Sequence, residues 1–65
     1  MEKLGPKFTI TYKDRTFDAE LVETKNGQRQ WNIYEGTRWK AFVLGADYVL
    51  SAIEQMVQNS EDPWN

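Results

Sequence analysis

Residues 16–35 read TFDAELVETKNGQRQWNIYE, and the spacing of their apolar side chains decides the fold. Phe17, Ala19 and Leu21 alternate with polar neighbours, and so do Trp31 and Ile33. A period of two marks half-buried strands. Between the runs lies Lys25-Asn26-Gly27, residue types that accept the backbone angles of a hairpin turn. Turn length decides which side chains meet. A two-residue Asn26-Gly27 loop sets Val22 opposite Trp31 and mixes the faces. A three-residue loop with Gly27 left-handed sets Leu21 opposite Trp31 and Ala19 opposite Ile33, so the pattern selects the three-residue turn with a glycine bulge.

The same alternation extends outward. A first strand is expected over Lys7–Lys13, with Phe8, Ile10 and Tyr12 on one face. The central pair spans Thr16–Thr24 and Gln28–Glu35, and a fourth strand covers Arg38–Leu44 with Trp39, Ala41 and Val43 on the shared face. A two-residue turn at Asp14-Arg15 pairs Tyr12 with Phe17 and Ile10 with Ala19. A three-residue turn at Glu35-Gly36-Thr37 pairs Ile33 with Trp39 and Trp31 with Ala41. This register buries Trp31 and Trp39 and leaves Tyr34 and Phe42 accessible. After Gly45 the period becomes helical, with Val49, Leu50, Ile53, Met56 and Val57 forming one stripe. Asp47 is the expected N-cap of a helix running to about Gln58. The expected fold is α+β, a four-stranded antiparallel meander packed on one C-terminal helix (ββββα). It occupies residues 7–58, between a flexible N-terminal arm (1–6) and an acidic polar tail (59–65).

Composition narrows the function classes. The 65 residues contain no cysteine and no histidine, which removes disulfides, thiolate chemistry, Cys/His zinc sites and His-based triads. Stability must come from apolar burial, with a homodimer as the expected supplement in so short a chain. No apolar run approaches the roughly 20 residues of a membrane span, and Met1–Pro6 has no signal-peptide core. A cytoplasmic protein with no membrane contact and no cofactor is expected. The net charge is −2, but the eight Lys and Arg all precede residue 41 and outnumber the six acids there. Asp47, Glu54, Glu61 and Asp62 make the helical end acidic.

The opposite face of the sheet carries the candidate site. The register sets Thr11, Asp18, Tyr34 and Arg38 in one row and Thr9, Glu20, Asn32 and Lys40 in the next. A third holds Val22, Gln30 and Phe42. Tyr34 and Phe42 are rings the core does not need, surrounded by Gln30, Asn32, Arg38 and Lys40. Rings that stack on bases beside cations that meet phosphates suit a single-stranded nucleic acid. A further reading makes Phe42 a contact with a partner protein or a second copy. Asp18 and Glu20, two residues apart on this face, are paired carboxylates of the type used for acid–base work or Mg²⁺, but nothing else completes such a site and no catalysis is expected. The tail, Ser60-Glu61-Asp62-Pro63-Trp64-Asn65, resembles the acidic tips by which single-stranded-DNA-binding proteins recruit partners.

The strand–strand–strand–strand–helix layout resembles the purine-rich-element-binding (PUR) repeat and the related whirly and transcriptional-coactivator single-strand binders. Arg15-Thr16-Phe17-Asp18-Ala19-Glu20-Leu21 looks like the PUR strand that begins with a basic residue and an aromatic. Lys25-Asn26-Gly27 looks like its turn, and Trp31-Asn32-Ile33-Tyr34-Glu35 like its third stretch. Trp39 to Val57 looks like its last strand and helix, so the resemblance covers residues 7–58. It implies single-stranded DNA or RNA binding on the curved sheet and pairing of two modules through their helices. The first expectation is therefore a small single-stranded DNA/RNA-binding protein. The alternative is an acidic protein-binding accessory or inhibitor module, of phage or regulatory type, using the sheet edge and tail.

Overall fold

A computed structural model describes residues 2–61, with Glu61 described by its backbone alone. Four strands form one antiparallel sheet in the order β1-β2-β3-β4. They are β1 (Glu2–Tyr12), β2 (Arg15–Glu23), β3 (Arg29–Glu35) and β4 (Arg38–Val43). A single 3₁₀ turn at Ala46–Tyr48 leads into α1 (Val49–Glu61). The α+β, ββββα architecture is the one the alternation predicts.

The core lies between α1 and one face of the sheet. Phe17, Ala19 and Ile33 meet Val49, Ile53 and Val57, one helix stripe at intervals of four. Phe8, Ile10, Tyr12, Trp31, Val43, Ala52 and Met56 close its rim. Trp31 packs against Phe8 with ring centroids 5.2 Å apart. Leu50, read from the sequence as part of the stripe, is exposed, since one residue past Val49 turns about 100° around the helix. Asp47 does not cap α1. It sits inside the 3₁₀ turn, whose N-cap is Gly45 with no side-chain cap.

Two of the three hairpins depart from the expected register. The β2–β3 turn is as predicted: Leu21 faces Trp31 and Ala19 faces Ile33. Gly27 is left-handed at φ 83, and the Thr24 N–H donates to the Gln28 carbonyl at 2.8 Å. The β1–β2 turn sits at Lys13-Asp14, so Ile10 faces Phe17 and Phe8 faces Ala19. This is two residues from the expected pairing and therefore leaves every side chain on its expected face. Both turn residues have positive φ, 50 and 65, the type I′ geometry that matches strand twist. The β3–β4 turn overturns the expectation. Glu35 pairs with Arg38 across a two-residue Gly36-Thr37 turn with Gly36 at φ 65, and a bulge follows, so Ile33 faces Ala41 and Trp31 faces Val43.

The ends also differ. β1 starts at Glu2, not Lys7, with Lys3 opposite Val22 and a register break between Lys3 and Lys7. Gly5, at φ 108, and Pro6 lie in that break, and they obscure the strand in the sequence. Asn59, Ser60 and Glu61, assigned to the tail, complete α1. Residues 62–65, and the partner role read into them, lie outside the described residues.

Two stability outcomes follow from these elements. Lys13 and Asp14 occupy a conformation that costs non-glycine residues roughly 1–2 kcal/mol each. Lys13→Asn combined with Asp14→Gly should stabilise the domain by about 1 kcal/mol, seen as a melting temperature higher by roughly 4–8 °C. Ile53 is fully buried at the centre of the helix stripe. Ile53→Ala should cost roughly 2–5 kcal/mol in urea unfolding, a large share of the stability a chain this size holds.

Candidate functional site

The helix covers one face of the sheet and leaves the other without a second layer. On the uncovered face the rows are Thr9, Asp18, Tyr34, Trp39 and Lys7, Glu20, Asn32, Phe42, with Lys3, Val22 and Gln30 beyond. Gln30, Asn32, Tyr34 and Phe42 are on the face the sequence gives them. Arg38 and Lys40 are not, and Trp39 stands where Arg38 was expected.

The cause is the β3–β4 turn. Glycine at the first central position permits a two-residue type II′ turn, which makes Arg38 the partner of Glu35 and Trp39 the partner of Tyr34. Ile33 and Glu35 share the helix-side face, so Arg38 lies on that side. Faces are restored by the extra residue, Lys40, between Trp39 and Ala41. A bulge places two residues against one and re-aims the side chains around it. Trp39 is consequently half exposed, at 50%, where burial was expected.

Lys40 instead joins a charged cluster on the helix side. Arg15 grips Glu35 with two hydrogen bonds, Nε to Oε2 at 2.8 Å and Nη2 to Oε1 at 2.7 Å. The Lys40 Nζ lies 3.9 Å from Oε1 of the same carboxylate. Arg15 Nη1 donates to the Ser60 hydroxyl at 2.7 Å, and that hydroxyl donates to the Val57 carbonyl at 3.0 Å. The cluster therefore ties β2, β3 and β4 to the last turn of α1. The Arg15 hydrogen bonds hold the Glu35 carboxyl below its ordinary value. Desolvation acts in the opposite direction, and the charges of Arg15, Lys40 and Arg38 add to the lowering.

The uncovered face is closed in its middle and open at one side. Asn32 is 1% exposed and Gln30 7%. Their amides form a ladder along β3, Gln28 Nε2 to Gln30 Oε1 at 3.1 Å and Gln30 Nε2 to Asn32 Oδ1 at 2.8 Å. These hydrogen bonds meet the needs of buried amides, so both residues support the face and offer little surface to a ligand. Lys3, Lys7, Asp18, Glu20, Tyr34, Gly36 and Thr37 line a shallow open hollow of about 280 Å³. Its carboxylates have local partners: the Thr9 hydroxyl donates to Asp18 Oδ1 at 2.7 Å, and the Lys3 Nζ lies 4.0 Å from Glu20. Two lysines against two carboxylates leave the hollow electrically balanced. Among the described residues no group of three or more Asp, Glu, His or Cys could hold a metal ion.

Exposed apolar side chains concentrate from β4 to the start of α1. Trp39 (50%), Phe42 (47%), Leu44 (64%), Tyr48 (65%) and Leu50 (48%) are the exposed large hydrophobics of the described chain. They fall on β4, its connection to α1 and the first turn of α1. The Tyr48 ring lies against Gly45, whose added Cβ would meet it at 3.2 Å, so the aromatic side chain folds back over the connection. Sequence reasoning missed Trp39, Leu44, Tyr48 and Leu50 as surface residues. Gly36-Thr37 is the signal that finds Trp39, because glycine followed by a second turn residue fits a two-residue type II′ loop as well as a longer one.

No helix among the described residues is long and apolar enough to cross a membrane. Protein-family models, curated proteins and solved structures give no match to the chain.

The charged cluster makes a pH prediction. A carboxylate with a lowered pKa in the folded state contributes stability above its unfolded value, near 4.5, and loses it as pH falls through the folded value. Glu35→Gln should lower the urea midpoint at pH 7. The gap from the parent chain should close on acidification below about pH 4.5. A gap that stays constant down to pH 2.5 would contradict the ion-pair assignment.

Proposed function

We propose that this chain is a small, non-catalytic protein-binding module, and that its recognition surface is the open apolar side formed by β4 and the β4–α1 connection. One observation carries the reading: every exposed large hydrophobic of the described chain lies within residues 39–50. Scattered surface apolar residues need no explanation, whereas five concentrated in twelve successive residues, with Trp39 and Phe42 on one face of β4, point to association. Trp and Tyr are also the residue types that dominate the energetics of protein interfaces. The charges agree with this choice. Arg38 and Lys40, the cations that phosphate binding would call on, lie beside Glu35 on the helix side. The uncovered face keeps Lys3 and Lys7 against Asp18 and Glu20, and so offers no positive field to a phosphate backbone. A chain without cysteine suits a reducing compartment, and the proposal takes the cytoplasm as its place of action.

Single-stranded nucleic acid is the second reading, and one feature favours it. Trp39 opposite Tyr34 sets two aromatics side by side on the face, the arrangement that stacks successive bases, and the PUR-like layout points the same way.

Peptides selected from a displayed random library on the full chain, then titrated as synthetic peptides, separate the two. Trp39→Ala and Phe42→Ala should each weaken peptide binding about tenfold or more while changing stability by no more than about 0.5 kcal/mol. Peptides that bind both variants as well as the parent would contradict the proposal. So would labelled oligo-dT or mixed RNA binding at low salt below about 100 µM and failing with Trp39→Ala, which would establish the nucleic-acid reading instead.

A further inference from the structure

We infer that the β4 edge accepts an extended strand from a partner protein in which acidic and apolar residues alternate. This rests on the protein-binding reading and specifies the partner's chemistry. β4 is the last strand of the sheet order, so its outer side presents backbone N–H and C=O groups to an added strand. Its side chains are sorted by face. Trp39 and Phe42 stand on the uncovered side, with exposed Leu44 just beyond the strand, and Arg38 and Lys40 stand on the helix side. No carboxylate occurs between Glu35 and Asp47. A strand's side chains alternate between faces, so the complement to this edge puts apolar groups on one side and carboxylates on the other.

The helix side has room for those carboxylates. An open hollow of about 600 Å³ lies on that side, lined by Arg15, Lys40, Met56, Asn59 and Ser60. Three cations, Arg15, Arg38 and Lys40, act on the Glu35 carboxylate on this side, so cations outnumber carboxylates in that cluster. Met56 supplies an apolar floor for an acidic side chain's methylenes.

The same charges argue against a second copy as the occupant. Two β4 edges laid antiparallel would bring Arg38 and Lys40 of both copies to one junction with no carboxylate from either strand, and basic residues on an edge are a known guard against such pairing. The other edge, β1, is less suited to strand addition. Each edge strand carries a register break, but that of β1, between Lys3 and Lys7, holds Pro6, which has no N–H to donate.

The test uses the full chain and three nine-residue peptides. One alternates glutamate with valine and carries one tyrosine, one has the same composition scrambled to break alternation, and one has lysine for glutamate. Binding is followed by amide shifts and hydrogen exchange of the ¹⁵N-labelled protein. The alternating peptide should bind about tenfold more tightly than the scrambled one. It should weaken with added salt and slow exchange at amides of Ala41–Leu44. Lys40→Glu should weaken it about tenfold and improve binding of the lysine peptide; this exchange of preference cannot come from a merely unfolded variant. No binding at 1 mM, equal binding of alternating and scrambled peptides, or shifts away from β4 would overturn the inference. If library-selected peptides still require Trp39 and Phe42 while β4 exchange and Lys40→Glu have no effect, strand addition falls and the apolar-surface reading stands. If Trp39→Ala and Phe42→Ala leave peptide binding intact, that reading falls as well.

Discussion

The bulge at Lys40, which gives β4 one residue more than the stretch of β3 it pairs with, is the constraint on which the rest of the surface depends. Were Lys40 paired in a regular ladder, the two-residue turn at Gly36-Thr37 would put Trp39 and Ala41 on the uncovered side and Phe42 against the helix, because strand parity admits no other outcome. With the bulge, Ala41 faces Ile33 on the core side, and Trp39 and Phe42 both stand on the other face. Taking Lys40 up in a bulge thus lets a short edge strand face the core with Ala41 and Val43 and present two large rings to solvent.

The bulge also determines where charge goes. Lys40 is close enough to Glu35 to share it with Arg15, and Arg15 in turn holds Ser60 at the end of α1. Bidentate arginine–carboxylate geometry is more specific than an isolated surface pair, so this cluster fixes the helix end relative to three strands. The two sides of β4 consequently differ in kind, apolar on one and cationic on the other. A sheet face that kept Arg38 and Lys40 beside Tyr34 would have been a different surface, suited to phosphates.

Most of the fold was legible in the sequence because it rests on alternation. Phe17, Ala19, Leu21, Trp31 and Ile33 announce the central hairpin, and the residues between them select its turn, as found. The two-residue slip at Lys13-Asp14 was harmless to the face assignment, since an even shift preserves parity. Val49, Ile53 and Val57 announced the helix. Of the candidate site, Tyr34, Phe42, Gln30 and Asn32 were placed on the correct face, but the near-complete burial of Gln30 and Asn32 was not legible, because alternation assigns a side and says nothing about what neighbouring rows cover. Arg38, Lys40 and Trp39 were misplaced together. Gly36-Thr37 allows both a two-residue and a three-residue turn, and only the unforeseen bulge makes the shorter turn compatible with a core. Strand β1 was begun late at Lys7 because Gly5 and Pro6 read as a break, while the backbone absorbs them as an irregularity within the strand.

The orientation of Trp39 is the most direct test of this account. A nuclear Overhauser spectrum of the folded chain reports which protons lie near its indole and its backbone. Cross-strand backbone contacts are expected between Trp39 and Tyr34 and between Ala41 and Ile33, with no contact from the Trp39 ring to the methyl groups of Val49, Ile53 or Val57. Ring contacts from Trp39 to those helix methyls, with Trp39 facing Ile33, would mean that the bulge is absent and that the apolar surface assigned to β4 does not exist.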